Sequence, residues 1–375
     1  MDNPFKKIFS SISHLSGNSG DNALGIDIGS SAIKVVEIKK KKGRAVLETY
    51  GSISLAALSS TEAGQVTNLP AEKIVAALQE VLKQSGVSTS AAGLAIPVQS
   101  SLIFTLELPA SIKEGEMGGI IATEARKYIP VPITEVSLDW FILPQKELSF
   151  KEANDPDLPA GPEEKLRVLV IATQNETVSR YRAIASECAL AVQFFEIEIF
   201  ASARSNFEHE LSLTLLADFG ASRTKLALVE FGVVQSYHTI DRGGADISSS
   251  IATSLSISFS EAEKMKKEFG LLGGAADKNL AEIIKTHTDY IFAEINNVLL
   301  SYEKKHNRAP NKVILTGGGA LLKGLKETAL SNFQVEVVIG QPFSKVQAPA
   351  FLDKVLSVTG PEFAVALGLA LRQLQ

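Results

Sequence analysis

The stretch Leu24–Ile38 reads LGIDIGSSAIKVVEI. An apolar run with one carboxylate, LGIDI, leads into Gly29-Ser30-Ser31, and a second apolar run, AIKVVEI, leads out. Runs of this length on either side of a Gly-Ser turn predict two buried strands joined as a hairpin. Asp27, Gly29, Ser31 and Lys34 stand in it at fixed offsets, and the offsets return in Leu215–Val229, LLADFGASRTKLALV. There Asp218, Gly220, Ser222 and Lys225 each lie 191 positions after their counterparts, as 218 does after 27. A single duplication at this spacing predicts two similar halves and not a solenoid of short repeats.

Each copy combines a carboxylate, a glycine two residues on and small side chains in a tight turn. Glycine and serine let the backbone approach a ligand closely, and the turn's N–H groups can converge into one anion-binding concavity. A carboxylate just before such a nest suits Mg2+ held through water. Two nests facing each other would grip a polyphosphate from both sides. The hairpins therefore nominate Asp27, Gly29, Ser30, Ser31 and Lys34 in one half, and Asp218, Gly220, Ala221, Ser222 and Thr224 in the other. Asp27 and Asp218 are the expected metal-side carboxylates. The alternative for one copy alone is an ordinary hairpin whose Asp caps its turn; two copies in register argue against it. A third stretch, Val313–Leu325 (VILTGGGALLKGL), predicts a strand, three glycines (Gly317, Gly318, Gly319) and a helix whose N-terminus favours a planar or anionic ligand. It has neither the dinucleotide-fold spacing nor the P-loop lysine.

At 375 residues the chain can bury a sizeable core and is expected to form two lobes. A net charge of −5 argues against broad nucleic-acid binding. The single cysteine, Cys188, supports no disulfide framework and fits a reducing cytoplasm. The five histidines show no ligand spacing, so no structural metal is expected. The longest uncharged run, Gln84–Leu106, is broken by Gly, Pro97 and many hydroxyl residues, and no membrane span is expected.

Along the chain, residues 1–23 read as a leader; Phe5, Ile8, Phe9, Ile12 and Leu15 fall near helical spacing beside Lys6 and Lys7. That pattern reads either as a frayed end or as a short amphipathic piece. KKKKGR (Lys39–Arg44) reads as a turn between strands, solvated or in contact with anionic lipid. Pro70 opens a helix running to about Ser85. Strands are expected at Gly93–Ile96 and Leu102–Leu108. Ser111 with Glu114 reads as a capping box for a helix with a Met117, Ile120, Ile121, Ala125, Tyr128 stripe. Strand Val136–Leu143 and an acidic, Pro-rich loop at 144–165 follow. Strand Leu166–Thr173 is expected to return to the first lobe. The second lobe follows, with a long helix from Asp277 to about His306 and a closing apolar helix Phe363–Leu374.

The three glycine-bearing stretches resemble the phosphate-1, phosphate-2 and adenosine motifs of the actin-like ATPase superfamily. Within it the chain is similar to the PilM family of type IV pilus assembly, from about Leu24 to its end. Further segments carry that likeness: IIATEARKYIPVPITEVSLDWFIL (Ile120–Leu143), FFEIEIFASAR (Phe194–Arg204), DRGGADIS (Asp241–Ser248), SEAEKMKKEFG (Ser260–Gly270) and PEFAVALGLALR (Pro361–Arg372). The EA-x-x-YIP element within the first of these is specific to PilM.

The resemblance implies an actin-like, ribonuclease H-like two-lobed α/β fold with an extra subdomain of the FtsA and PilM type. The first lobe would comprise 24–93 and 167–214, the extra subdomain 94–166, and the second lobe 215–375 with a helical part at 255–310. It implies Mg2+ and ATP between the lobes, with turnover at most slow. Gly243 and Gly244 would lie at a helix start facing phosphate, and Glu263 and Lys266 near the ribose; Ser260 with Glu263 also reads as a capping box. Glu196 and Glu198 lie where a catalytic group would orient water, and each also reads as a helix-start charge.

The implied partner is the cytoplasmic tail of a PilN-like bitopic membrane protein, in a groove between the 24–93 region and the 94–143 unit. Ile120, Ile121, Glu124 and Tyr128 would contact it, holding the protein at the inner face of the cytoplasmic membrane. Pilus motor ATPases and further copies of the chain are additional implied partners. The rivals are an FtsA-like polymerising division protein and a small-molecule kinase of the same superfamily.

Overall fold

The first predicted strand is buried on both faces, which is why its sequence is continuously apolar instead of alternating. The computed structural model describes residues 21–58, 61–143, 165–207, 212–273 and 278–374. The expectations for the leader at 1–20 and for the loop at 144–164 lie outside them. The described residues fall into two compact units, one of 98–179 and one of 21–97 with 180–374.

The larger unit holds both predicted halves. Its first sheet contains β1 (Asn22–Ile28), β2 (Ala32–Lys41), β3 (Arg44–Ser54), β4 (Ala91–Ile96) and β8 (Ala191–Ile197), in the order β3-β2-β1-β4-β8. The second contains β9 (Thr214–Phe219), β10 (Thr224–Glu230), β11 (Val233–Ile240), β12 (Lys312–Thr316) and β13 (Glu336–Ile339), in the order β11-β10-β9-β12-β13. Each sheet is an antiparallel meander of three strands extended by two parallel strands. The register repeats as well: Asp27 sits opposite Lys34 in one sheet, and Asp218 opposite Lys225 in the other. The duplication read in the sequence is thus a duplication of sheet topology, the two-lobed actin-like α/β fold.

Two helices seal the first sheet, α4 (Glu198–Asn206) and α10 (Ala364–Leu374). They touch backbone to backbone: a Cβ on Gly368 would stand 1.8 Å from the Ala201 carbonyl oxygen, so no larger residue fits there. The stretch Ala350–Leu374 is apolar enough to cross a membrane by length and composition, but α10 is a core helix: Ala366, Leu367, Leu369 and Ala370 are fully buried.

The smaller unit is a three-stranded antiparallel sheet of β5 (Ser101–Pro109), β6 (Val136–Ile142) and β7 (Lys165–Gln174), in the order β5-β7-β6, with helix α2 (Glu114–Ala125). This corrects two strand placements. β4 belongs to the first-lobe sheet, pairing with β1, and β7 is the central strand of the small sheet. A short apolar strand shows burial but not which sheet buries it. The capping box at Ser111 is also corrected: Lys113 precedes α2 and gives no side-chain cap. Met117, Ile121 and Ala125 of α2 pack with Leu106, Leu108, Val168 and Val170 into the core of this unit.

Candidate functional site

The two hairpin turns close in the same way. Gly29 N–H donates to the Ala32 carbonyl at 3.0 Å, and Gly220 N–H to the Arg223 carbonyl at 2.9 Å. The fold then sets the turns against each other, with Ser30 Oγ donating to Ser222 Oγ at 3.2 Å. The first turn is held from behind by Thr67, whose N–H and hydroxyl both donate to the Ser30 carbonyl, and by Leu55 N–H on the Ser31 carbonyl. The second turn rests on the start of α5 (Gly244–Leu255), where Gly244 N–H donates to Gly220 and Ala245 N–H to Ala221. Gly243 N–H donates to Asp246 Oδ2 at 2.8 Å. Gly244 therefore spends its N–H on docking the hairpin and Gly243 on capping α5, which corrects their expected role facing phosphate. Thr224 is fully buried and its hydroxyl donates to the Arg242 carbonyl, so it too braces the turn.

Behind the turns, acidic groups gather around lysine. Asp27 is buried, and burial pushes its carboxyl up to about 6; Lys34 pulls the other way, while Glu198 adds to the rise. Lys225 Nζ lies 2.6 Å from Glu198 Oε2 and 3.6 Å from Asp218 Oδ2. Burial opposes the charge on Lys225, but the carboxylates of Glu198 and Asp218 outweigh it and hold the lysine firmly cationic. Glu198 is the first residue of α4, where the helix dipole favours an anion. Lys225 was not among the residues nominated from sequence, although its place as the counterpart of Lys34 was the signal that could have found it.

Glu196 is a different case and corrects its catalytic expectation. It is fully buried, and both its oxygens accept from the Arg204 guanidinium at 2.7 Å, with Arg372 at 3.3 Å. Burial alone would raise its carboxyl, yet the two guanidinium groups hold it below the usual range. Arg204 also donates to the Gly368 carbonyl. This cluster fastens α4 to α10, and its carboxylate, fully buried and committed to two guanidinium groups, does not face a place where water could be oriented.

The third motif meets the second hairpin directly. Gly317 has φ +79°, and a Cβ there would stand 2.2 Å from Asp218 Oδ1. Gly319 lies against Phe219 and Gly318 against Glu362. The glycines open onto a short 3-10 turn, Gly318–Leu321, and the α-helix α8 starts only at Leu325, later than the sequence suggested. On α6 (Phe259–Phe269), Lys266 Nζ donates to Glu263 Oε2 at 2.6 Å and to the Gly244 carbonyl at 2.7 Å. Ser248 Oγ donates to the same Glu263 oxygen. The capping box of α6 is Ser258 with Glu261, so Glu263 is not a cap. A cavity of about 310 Å³ opens beside Ser222, lined also by Gln65, Val66, Ala245, Asp246, Ser249 and Phe259. Nothing in the sequence pointed to Gln65 or Val66, because they lie in irregular chain.

In the smaller unit, Ile120 is half-buried, Glu124 pairs with Lys127 at 2.7 Å, and Tyr128 is 52% exposed with its ring stacked on Phe104. Ile121 is 0% exposed and is a core residue, which removes it from the partner-contact set.

Comparison with known proteins places this arrangement. A family profile described as "Type IV pilus assembly protein PilM" matches residues 25–374. The chain belongs to the PilM family. A solved "PilM-PilN type IV pilus biogenesis complex" contains a chain 25% identical, with a TM-score of 0.76, covering 94% of this chain and 98% of that one. The ethanolamine utilization protein EutJ from Carboxydothermus hydrogenoformans, 15% identical at a TM-score of 0.54 over 98% of this chain and 94% of its own, shares the fold alone. Cell division protein FtsA from Streptococcus pneumoniae is 22% identical over 374 residues, 91% of this chain and 79% of its own length. The PilM family that the chain resembles in sequence is thus the family to which it belongs.

Proposed function

We propose that this PilM-family protein is an ATP-binding scaffold of type IV pilus assembly that holds the cytoplasmic tail of a PilN-like membrane protein and turns over nucleotide slowly or not at all. One observation carries the nucleotide reading: two hairpins in matching register stand turn to turn, with Asp27 and Asp218 behind them and Gly317 cut away to admit Asp218.

The donor set fits Mg·ATP. Among the described residues no cluster of three metal-ligating side chains exists, so Mg2+ would be held through water by Asp27 and Asp218 and through the polyphosphate itself. The ion would supply charge neutralisation for the phosphates. The Ser30 and Ser222 hydroxyls would exchange their mutual bond for phosphate oxygens, and Lys34 would counter phosphate charge. Lys266, beside Glu263, would stand on the ribose side.

Slow turnover follows from what surrounds Glu198, the second of the two water-orienting candidates named from the sequence. Glu198 is engaged by Lys225, and a carboxylate so paired is a poor base. Nucleotide would then act as a ligand that favours one lobe geometry and not as fuel.

The partner reading is supported by the similarity to a chain of a PilM-PilN complex and by the exposed side of α2 and of the turn that follows it. Ile120, Glu124 and Tyr128 offer two apolar contacts and one acid for an extended peptide. Such a tail would bring the protein to the inner face of the membrane, and pilus motor ATPases and further copies would join it there.

The test is a melting titration. Wild type should gain stability with Mg·ATP, by about 2.7 kcal/mol at a hundredfold excess over Kd, and Asp27→Ala or Asp218→Ala should abolish the Mg-dependent part. No shift in the wild type refutes the nucleotide reading. A synthetic tail that binds in neither nucleotide state refutes the partner reading separately.

A further inference from the structure

Two features of the larger unit are not used by either reading. One is the β2–β3 turn, where Lys39, Lys40, Lys41, Lys42 and Arg44 concentrate positive charge on a chain whose net charge is −5. Residues 40–44 are all exposed. Lys41 pairs with Glu48, but among the described residues neither Lys42 nor Arg44 pairs with a carboxylate. The other is the outer face of α9 (Asp353–Thr359) and of the 3-10 turn before it. Leu356 of that helix is buried with Leu47, Phe343 and Phe363, whereas Phe351 is 81% exposed, Val355 46% and Val358 62%. The spacing 351, 355, 358 puts all three on one helical face.

The fold brings the two features together. Gln347 extends the edge of β3 beside the basic turn: its N–H donates to the Ala45 carbonyl, and its carbonyl accepts from Leu47 N–H. Phe351 follows four residues later, within about 14 Å of chain even if fully extended. A cluster of exposed cations, with Lys42 and Arg44 lacking a carboxylate partner among the described residues, next to an exposed aromatic and aliphatic face matches an anionic bilayer surface: phosphate headgroups neutralise the first and the acyl boundary covers the second.

We propose that this corner of the protein docks directly on anionic lipid, independently of any protein partner. Charge complementarity selects lipid over a symmetric contact with a second copy of the chain, because each copy would bring its basic turn against the other's, and the corner stays net positive with Glu48 paired to Lys41 and Asp353 next to Lys354.

The experiment is co-sedimentation of the full chain, with no partner present, on vesicles of phosphatidylglycerol with phosphatidylcholine and on vesicles of phosphatidylcholine alone. The chain should bind the anionic vesicles, with affinity falling as salt rises. The paired variant Lys42→Gln with Arg44→Gln should weaken binding about 25-fold, at about fivefold per cation. Phe351→Ser should weaken it about tenfold by loss of the inserted ring. Both variants alter exposed side chains and should keep the wild-type melting temperature and its shift with Mg·ATP. Equal binding to neutral vesicles, or no binding to anionic ones, overturns the proposal. So does a finding by analytical ultracentrifugation that Phe351→Ser dissolves a self-association formed without vesicles, since the face would then be a contact between copies.

Discussion

Replacing Glu196 by Gln distinguishes a structural carboxylate from a catalytic one. The substitution keeps the side-chain volume but removes the charge facing Arg204 at 2.7 Å and Arg372 at 3.3 Å. Arg204 has a side-chain exposure of 5% and cannot turn to water without opening the seam between α4 and α10. Breaking one partner of a buried pair leaves the other charge uncompensated, a loss of about 3–5 kcal/mol. At about 1.3 °C per kcal/mol for a chain of 375 residues, the midpoint should fall by about 4–6 °C.

The pH dependence carries a sign. The folded carboxyl is held below its unfolded value, so its stabilisation is complete above the unfolded value and is lost as pH falls through the folded one. The difference between wild type and Glu196→Gln should therefore stay constant from pH 8 to about 5 and close only in stronger acid. Urea unfolding across pH, with Arg204→Met and the double variant, completes the cycle. The double variant should lose much less than the sum of the two singles, because each single leaves a partner stranded. If Glu196→Gln melts within about 1 kcal/mol of wild type and instead slows ATP hydrolysis, the structural assignment of Glu196 is wrong.

Asp27→Asn should stabilise the nucleotide-free protein above pH 6 by up to about 3 kcal/mol, from a rise of 3.8 to about 6 at 1.36 kcal/mol per unit. The sign follows because the folded carboxyl binds its proton more tightly than the unfolded one: wild-type stability falls as pH rises from about 4 to about 6, and the Asn variant should lack that fall in pH-dependent melts. Lys225→Met should destabilise by about 3–5 kcal/mol by stranding Glu198 and Asp218, and added Mg2+ should restore part of the loss; no Mg2+ rescue in a thermal melt would argue against a cation site there. Gly317→Ala forces a Cβ onto Asp218 at positive φ and should cost more than about 1 kcal/mol, with Mg·ATP no longer raising the midpoint. Tyr128→Ala should weaken binding of a PilN-like tail in a fluorescence titration while leaving the nucleotide shift intact; unchanged tail affinity would move the partner site off this face of the smaller unit.

Much of this protein is legible in its sequence because duplication is a global signal. Asp27 and Asp218, with Lys34 and Lys225 at equal offsets, fixed the turn geometry, the strand pairing and the pairing of the halves, since a hairpin's register follows from its turn. The glycines at 317–319 were legible for a related reason: only close backbone approach calls for three in a row after a buried strand. Partner choice is another matter. Two glutamates two residues apart, Glu196 and Glu198, looked alike in sequence. Tertiary structure alone gave the first to Arg204 and Arg372 and the second to Lys225, because those cations come from residues 8, 176 and 27 positions away through helix and sheet packing.

The same limit misplaced β7, whose continuous apolar run fits either sheet, and Ile121, whose helical stripe does not say which of its apolar residues faces the core. Gly243 and Gly244 show that a glycine turn at a helix start binds whatever acceptor the fold brings to it: for Gly244 the neighbouring hairpin's own carbonyl at Gly220, for Gly243 the Asp246 carboxylate of its own helix. Local chemistry sets what each group is able to bind. Which partner it meets is decided by the packing of distant segments, and a one-dimensional pattern carries that information only where the pattern itself repeats.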